Sequence, residues 1–285
     1  MPQSTGTLFV VATPIGNLED LTFRGLEVLR KADLIAAEDT RRTRILLSHY
    51  KIRGNLISYR EQNRDKSSPR ILSHLTQGRS VALVTDAGTP GLSDPGYHLV
   101  EACVDNGIRV VPIPGANALG AALCVSGMPL DRFLFEGFLP SRPAARKNRI
   151  AQIGAAGVPF VIFESPRRIV DTLRDIVGTL GDREVFLARE MTKVHEELLR
   201  GKAAEVIQRL GNDPILGEIT MVVAGSMSPG INLNILEASK RLLKEGLPPS
   251  KAAGVLAELT GVDRRTIYRI VIGLTQGEDQ GGNDG

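Results

Sequence analysis

Apolar positions along this chain recur in two rhythms, and the alternation between them predicts its architecture. Continuous or near-continuous apolar runs at residues 7–12, 34–37, 55–58, 81–84 and 109–113 read as short strands. Between them, residues 21–31, 41–50, 69–77 and 95–106 read as helices; Leu21, Leu26 and Leu29 fall near helical spacing. Strands separated by helices need crossover connections, which predicts an α/β unit whose mainly parallel sheet is covered on both faces. Ligands of such sheets bind beyond the carboxyl ends of the strands.

A second unit follows a helix over 116–125 that breaks at Ser126-Gly127-Met128-Pro129. Its strands are predicted at 133–137, 159–164, 184–189, 196–199 and 218–224, with helices at 144–155, 169–179 and 202–210. The link 190–201 is too short for a helical crossover, so this sheet is expected to be mixed. Beyond residue 230 the pattern is helical: 233–245, a second helix capped by Ser250 and stopped at Gly261, and a third capped by Asp263 and running to about Leu274. The polar, Gly-rich end is expected to be disordered. The organisation expected is therefore 1–118 as a first α/β domain, 119–230 as a second, 231–275 as a helical, helix-turn-helix-like appendix, and 276–285 as a tail.

Composition narrows the class. With 42% hydrophobic residues in 285, the chain can bury the cores of about two domains. Cys103 and Cys124 lie in apolar helical contexts and read as buried, reduced thiols. Four histidines without zinc spacing predict no metal site. The start lacks a charged leader region, and no apolar run approaches the ~20 residues of a membrane span. The cytoplasm is the expected location.

Three loops at predicted strand ends carry the candidate chemistry. Thr13-Pro14-Ile15-Gly16-Asn17-Leu18 follows the first strand, a twelve-residue loop from Thr85 to Gly96 follows the fourth, and Pro112-Ile113-Pro114-Gly115-Ala116 ends the fifth. Glycine and proline in these positions make tight turns and let a ligand approach backbone closely. The sequence has neither a P-loop nor the glycine fingerprint of a dinucleotide fold. The loops also lack lysine and arginine, so a zwitterionic or cationic ligand suits them better than a phosphate-rich one, with Asp86 as a partner for its positive group.

These residues carry a resemblance. The first loop, Ala37-Glu38-Asp39-Thr40-Arg41-Arg42-Thr43, Thr85-Asp86-Ala87-Gly88-Thr89-Pro90 through Ser93-Asp94-Pro95-Gly96-Tyr97, and Pro114-Gly115-Ala116-Asn117-Ala118 resemble the tetrapyrrole methylase superfamily. Phe135-Glu136-Gly137-Phe138-Leu139-Pro140, Glu164-Ser165-Pro166-Arg167-Arg168 and Arg189-Glu190-Met191-Thr192-Lys193 match in order, so the resemblance spans about residues 7 to 275. Thr85 departs from the more usual serine but keeps the hydroxyl. Within the superfamily the likeness is to members that methylate the ribose 2′-hydroxyl of a cytidine in the decoding region of 16S rRNA.

The resemblance implies S-adenosylmethionine as cofactor, a homodimer, and small-subunit RNA as partner. It puts the donor in the cleft between the two α/β domains. There it would lie against Pro14, Asp86, Ala87, Gly88, Thr89, Pro114, Gly115 and Ala116, closed by Phe163, Glu164 and Ser165. A ribose hydroxyl needs its proton removed or strongly hydrogen-bonded. Lys193 is the candidate to polarise or deprotonate it and Glu190 to orient it; Glu38 and Asp39 are further candidates.

Charge distribution points to the RNA. Between Arg41 and Arg70 nine basic residues face two acids, leaving +7 in thirty residues, against +3 for the whole chain. Arg41, Arg42, Arg44, Arg60 and Arg64 in this stretch, with Arg142, Arg146 and Lys147 further on, are the phosphate-binding candidates. Tyr59 either stacks on a base or belongs to the core. Two other readings stay open: a C-methyltransferase of a cobalamin or sirohaem precursor, and a non-enzymatic regulator reading nucleic acid through its terminal helices.

Overall fold

Strands β1 (Thr7–Val11), β2 (Leu34–Ala37), β3 (Leu56–Ser58), β4 (Val81–Val84) and β5 (Arg109–Ile113) form one sheet, ordered β3-β2-β4-β1-β5. This is a computed structural model that describes residues 5–211, 213–226, 233–260 and 263–278. All pairings in this sheet are parallel. β2 and β4 are buried at every position, which is why they read as unbroken apolar runs. Side chains alternate between two cores. Leu8, Leu34, Ala36, Val81 and Leu83 meet Ile71 and Leu75 of α3 (Arg64–Thr76) and Leu99 and Cys103 of α4 (Tyr97–Asp105). Val11, Ile35, Ala37, Ala82 and Val84 meet Leu29 of α1 (Phe23–Lys31) and Leu46 and Leu47 of α2 (Thr40–His49).

The strand order fixes where a ligand can sit. From β1 the chain crosses leftward to β2 over one face; from β4 it crosses rightward to β5 over the other. β1 and β4 are neighbours, so their outgoing loops diverge and leave a crevice at their carboxyl ends.

The second sheet runs β6 (Leu134–Phe138), β7 (Phe160–Glu164), β10 (Ile219–Val223), β8 (Glu184–Arg189), β9 (Glu197–Lys202). Only β6 and β7 are parallel, and β8–β9 is a hairpin, so the sheet is mixed as expected. Helices α6 (Pro143–Gly154), α7 (Ile169–Leu180) and α8 (Ala203–Leu210) cover one face. The other face receives α5 (Ala118–Ser126), together with Ile15 from the first lobe and Met191 from the β8–β9 turn. Helices α9 (Leu233–Lys244), α10 (Pro249–Thr260) and α11 (Arg264–Glu278) pack around Ile235, Ala252, Ala253, Leu256, Ile267 and Val271.

Several expectations need correction. Helix α3 begins at Arg64, and Pro69 lies inside it. The early start is held by side chains: Asn63 Oδ1 accepts from the Arg60 N–H at 2.7 Å, and Ser67 Oγ donates to Ser58 O at 2.9 Å. Cys124 is exposed, whereas Cys103 is buried; α5 is apolar nearly all round, so periodicity could not choose its inward face. α11 continues to Glu278, three residues into the stretch expected to be disordered. Residues 279–285, and Gly261 and Val262 of the expected turn, lie outside the described residues.

Candidate active site

The loops after β1 and β4 are zipped together. Thr13 N–H donates to Gly88 O at 2.8 Å and Gly88 N–H to Thr13 O at 3.0 Å, an isolated antiparallel bridge. Thr13 Oγ1 also donates to Thr85 O at 3.1 Å. The third loop is tied in because a Cβ on Gly115 would lie 3.0 Å from Ala12 Cβ. Gly88 has φ +83°, a backbone conformation that glycine adopts without strain.

Above this platform a cleft of about 300 Å3 lies between the lobes. Ala87, Gly88 and Thr89 form one wall; Phe163, Glu164 and Ser165 form part of the other. Six of the eleven expected cofactor contacts thus share one cavity. Pro14 and Asp86 line an adjoining hollow with Arg42 and Leu46. Pro114, Gly115 and Ala116 are not among the lining residues, whereas their successors Asn117 and Ala118 are. The volume falls in the range of ~300–1,000 Å3 usual for small-molecule sites.

Sequence reasoning missed much of the lining: Phe138, Pro166, Ser93, Asp94 and the segment Gly217 to Thr220. Phe138 and Phe163 meet edge to face at 5.8 Å. The signal for Phe138 was its place two residues beyond Glu136 in a matched motif; nothing local marked Gly217 to Thr220, which enters from a distant part of the chain.

Neither lysine nor arginine is among the described residues lining the cleft, while Asp94, Glu164 and Glu218 are. These acids differ in kind. Glu164 is 2% exposed and fully engaged. It accepts from Ser165 N–H at 2.7 Å, Thr172 Oγ1 at 2.7 Å and Arg168 Nη2 at 3.2 Å. Arg168 also donates to Leu139 O and Pro140 O, so this carboxylate ties β7 to α7 and to the strand before α6. Glu218 is held by Lys193 Nζ at 3.1 Å. Asp94 has no hydrogen bond or ion pair from any described residue. Burial, then the carboxylates of Glu38, Asp86 and Glu218, push it up to about 7.

Lys193 and Glu190 are not among the lining residues but adjoin Gly217 and Glu218 at the cleft's edge. Lys193 Nζ donates to Glu190 Oε1 at 2.7 Å, and Glu190 Oε1 also accepts the Glu218 N–H at 2.8 Å. Glu190 packs so closely on Gly217 that a Cβ there would fall 2.3 Å from its Cγ. Burial opposes the lysine's charge, but the hydrogen bonds to Glu190 and Glu218 outweigh it and raise Lys193 above its ordinary value. Burial likewise opposes the Glu190 charge, and Lys193 and the Glu218 N–H overcome it, lowering Glu190. A lysine held protonated polarises; it does not accept a proton. Glu38 and Asp39 serve structure at the end of β2. Glu38 Oε2 accepts the Asp86 N–H, Asp86 Oδ1 accepts the Asp39 N–H, and the Arg41 guanidinium holds Asp39 far below the usual carboxylate range.

The basic candidates divide. Arg41, Arg42 and Arg60 reach Asp39 or Asp86 at 2.7–3.6 Å, and Arg64 pairs with Glu61. Arg44, Arg142 and Lys147 are exposed. Arg146 is 5% exposed, and its Nε donates to Asp175 Oδ2 at 2.7 Å. It belongs to the core of the second lobe, not to a phosphate-binding face. Tyr59 is 2% exposed and is likewise a core residue.

Two lobes joined by α5, one parallel sheet and one mixed, with an acid-lined cleft at the first sheet's switch point, define a methylase architecture. Residues 7–207 match the Tetrapyrrole (Corrin/Porphyrin) Methylases, and the chain belongs to that family. Residues 234–274 match the RsmI C-terminal HTH domain. The chain is 44% identical to "Ribosomal RNA small subunit methyltransferase I" of Pasteurella multocida, over 94% of this chain and 98% of that one. It is 51% identical to the protein of the same name from Thermotoga maritima, over 77% of this chain and 99% of that one. Among solved structures it resembles the cobalamin biosynthetic enzyme cobalt precorrin-4 methyltransferase. The TM-score is 0.61 at 14% identity, over 76% of this chain and 94% of that one, a likeness of fold alone.

Proposed function

We propose that this chain transfers a methyl group from S-adenosylmethionine to small-subunit ribosomal RNA, at the ribose 2′-hydroxyl of a cytidine in the decoding region. The observation that carries the reading is its similarity, over nearly the full length of both chains, to proteins named for small-subunit rRNA methylation. The cleft fits the cofactor. It is lined by acids and aromatic rings and by no lysine or arginine among the described residues, which suits a cationic ligand bearing a flat base. Ala87, Gly88 and Thr89 would hold the donor by backbone from one side, and Phe138, Phe163 and Ser165 from the other. When bound, the donor supplies a methyl group already activated by a positive sulfur. The protein's share is orientation, which can contribute several kcal/mol, and control of the acceptor's proton.

In this reading Arg41, Arg42, Arg44, Arg60, Arg64, Arg142 and Lys147 grip phosphates, and Lys193, fixed by Glu190, polarises the acceptor from the cleft edge. Helices α9 to α11 add RNA contacts. The family implies a homodimer; Phe23 and Val194, 91% and 96% exposed, are apolar side chains such an interface would cover. No helix among the described residues is long and apolar enough to cross a membrane, and the enzyme acts in the cytoplasm with its ribosomal substrate. The test is incubation with radiolabelled donor and either small ribosomal subunits, tetrapyrrole precursors or duplex DNA, followed by mapping of the methylated nucleotide. Label in the precursors or the DNA rather than the subunits overturns the proposal.

A further inference from the structure

The methyl transfer just proposed releases a proton, and neither Lys193 nor Glu190 is placed to take it. Three acids line the cleft, and two are spoken for. Glu164 has both oxygens bound within the second lobe, and Glu218 is paired with Lys193. Asp94 alone offers a carboxylate without a partner among the described residues.

Its loop holds it there by construction. Ser93 carries φ +64°, an uncommon conformation for a residue with a side chain. Gly91 and Gly96 on either side are also left-handed, at φ +85° and +155°. Ser93 Oγ lies 2.8 Å from where a Cβ on Gly137 would stand, so the loop of the first lobe is pressed against β6 of the second. Such close fit and local strain are found where a side chain is aimed at a task. Resting on the reading above, we infer that Asp94 is the base that receives the acceptor hydroxyl's proton.

The step balances. The hydroxyl oxygen bonds to the methyl carbon as the carbon–sulfur bond breaks. That bond's electron pair stays on sulfur, which becomes a neutral thioether, and the proton passes to the Asp94 carboxylate. One positive and one negative charge disappear together, which a partly desolvated cleft favours. The charged groups around Asp94 are Glu38 from the end of β2, Asp86 from the loop after β4 and Glu218 before β10, all carboxylates. They and burial hold the free enzyme's Asp94 near neutrality, where a base works best.

The experiment compares wild type with Asp94→Asn and Asp94→Glu. Carboxyl 13C NMR of aspartate-labelled protein follows the titration without substrate, calorimetry follows donor affinity, and single-turnover transfer to small subunits is followed from pH 5.5 to about 8.5. The expected result is one carboxyl titrating near 7 that vanishes in Asp94→Asn. Donor affinity should fall far less than the rate, which should drop roughly 10²–10⁴-fold, and the wild-type rise of kcat/KM through pH 7 should flatten. Asp94→Glu should recover part of the rate. An active wild type with an equally active Asp94→Asn overturns the assignment, as does loss of donor affinity with no separate effect on the transfer step. A wild type that methylates no subunit RNA sinks the functional reading itself, and the base with it.

Discussion

Arg146→Met separates a fold role from an RNA role. The guanidinium is buried, and its Nε donates to Asp175 Oδ2 at 2.7 Å. Methionine keeps the apolar stem but leaves Asp175 with only Lys147, whose Nζ is 3.5 Å away on the solvent side. Removing one partner of a buried pair costs about 3–5 kcal/mol; the remaining lysine places the expected loss at the low end, about 3 kcal/mol. At ~2–4 °C per kcal/mol for a chain of this size, the melting temperature should fall by roughly 6–12 °C. Adding Asp175→Leu removes the stranded charge, and stability should return to within ~1 kcal/mol of wild type. Circular dichroism melts measure the first quantity, and a salt titration of RNA binding measures the second. Affinity and its salt slope should not move in the folded single variant. Unchanged melting with a shallower salt slope would refute the reasoning and restore Arg146 to the phosphate-binding face.

Other expectations are as direct. Arg44→Ala, at an exposed position, should weaken subunit binding uniformly and reduce the salt slope by about 1; an unchanged slope removes Arg44 from the interface. Gly217→Ala places a methyl against Glu190 at a backbone φ of +95° and should destabilise by ~2 kcal/mol or more, seen in denaturant titration. Asp94 is raised in the folded state, so its protonated form is favoured there. The native protein therefore loses stability as pH climbs from about 4 through 7, and Asp94→Asn should raise the melting temperature at pH 8 but not at pH 4. Deleting residues after 230 should leave donor affinity intact and weaken subunit affinity; the Thermotoga maritima relative is matched over 99% of its length by only 77% of this chain.

The first sheet was legible because burial on both faces writes itself as unbroken apolar strands, as β2 and β4 show. The mixed second sheet followed from one short connection between β8 and β9. Arg146 misled because a run of basic residues looks like one surface; its true setting is in the helical spacing it shares with Ile150 and Ile153, all buried. Glu164 was selected and lines the cleft, but sequence could not reveal that Thr172 and Arg168 already occupy its oxygens. Asp94 escaped selection although its loop was recognised. What distinguishes it is the company of Glu38, Asp86 and Glu218, and only folding assembles that group.

Helix α5 follows the last strand of the first sheet, yet it lies on the face of the second, beside Ile15 and Met191. The two halves therefore share a solid seam rather than meeting at an empty joint. Wide opening of the cleft would have to break this seam, at the cost of exposing Ile15, Ala122, Leu123 and Met191 together.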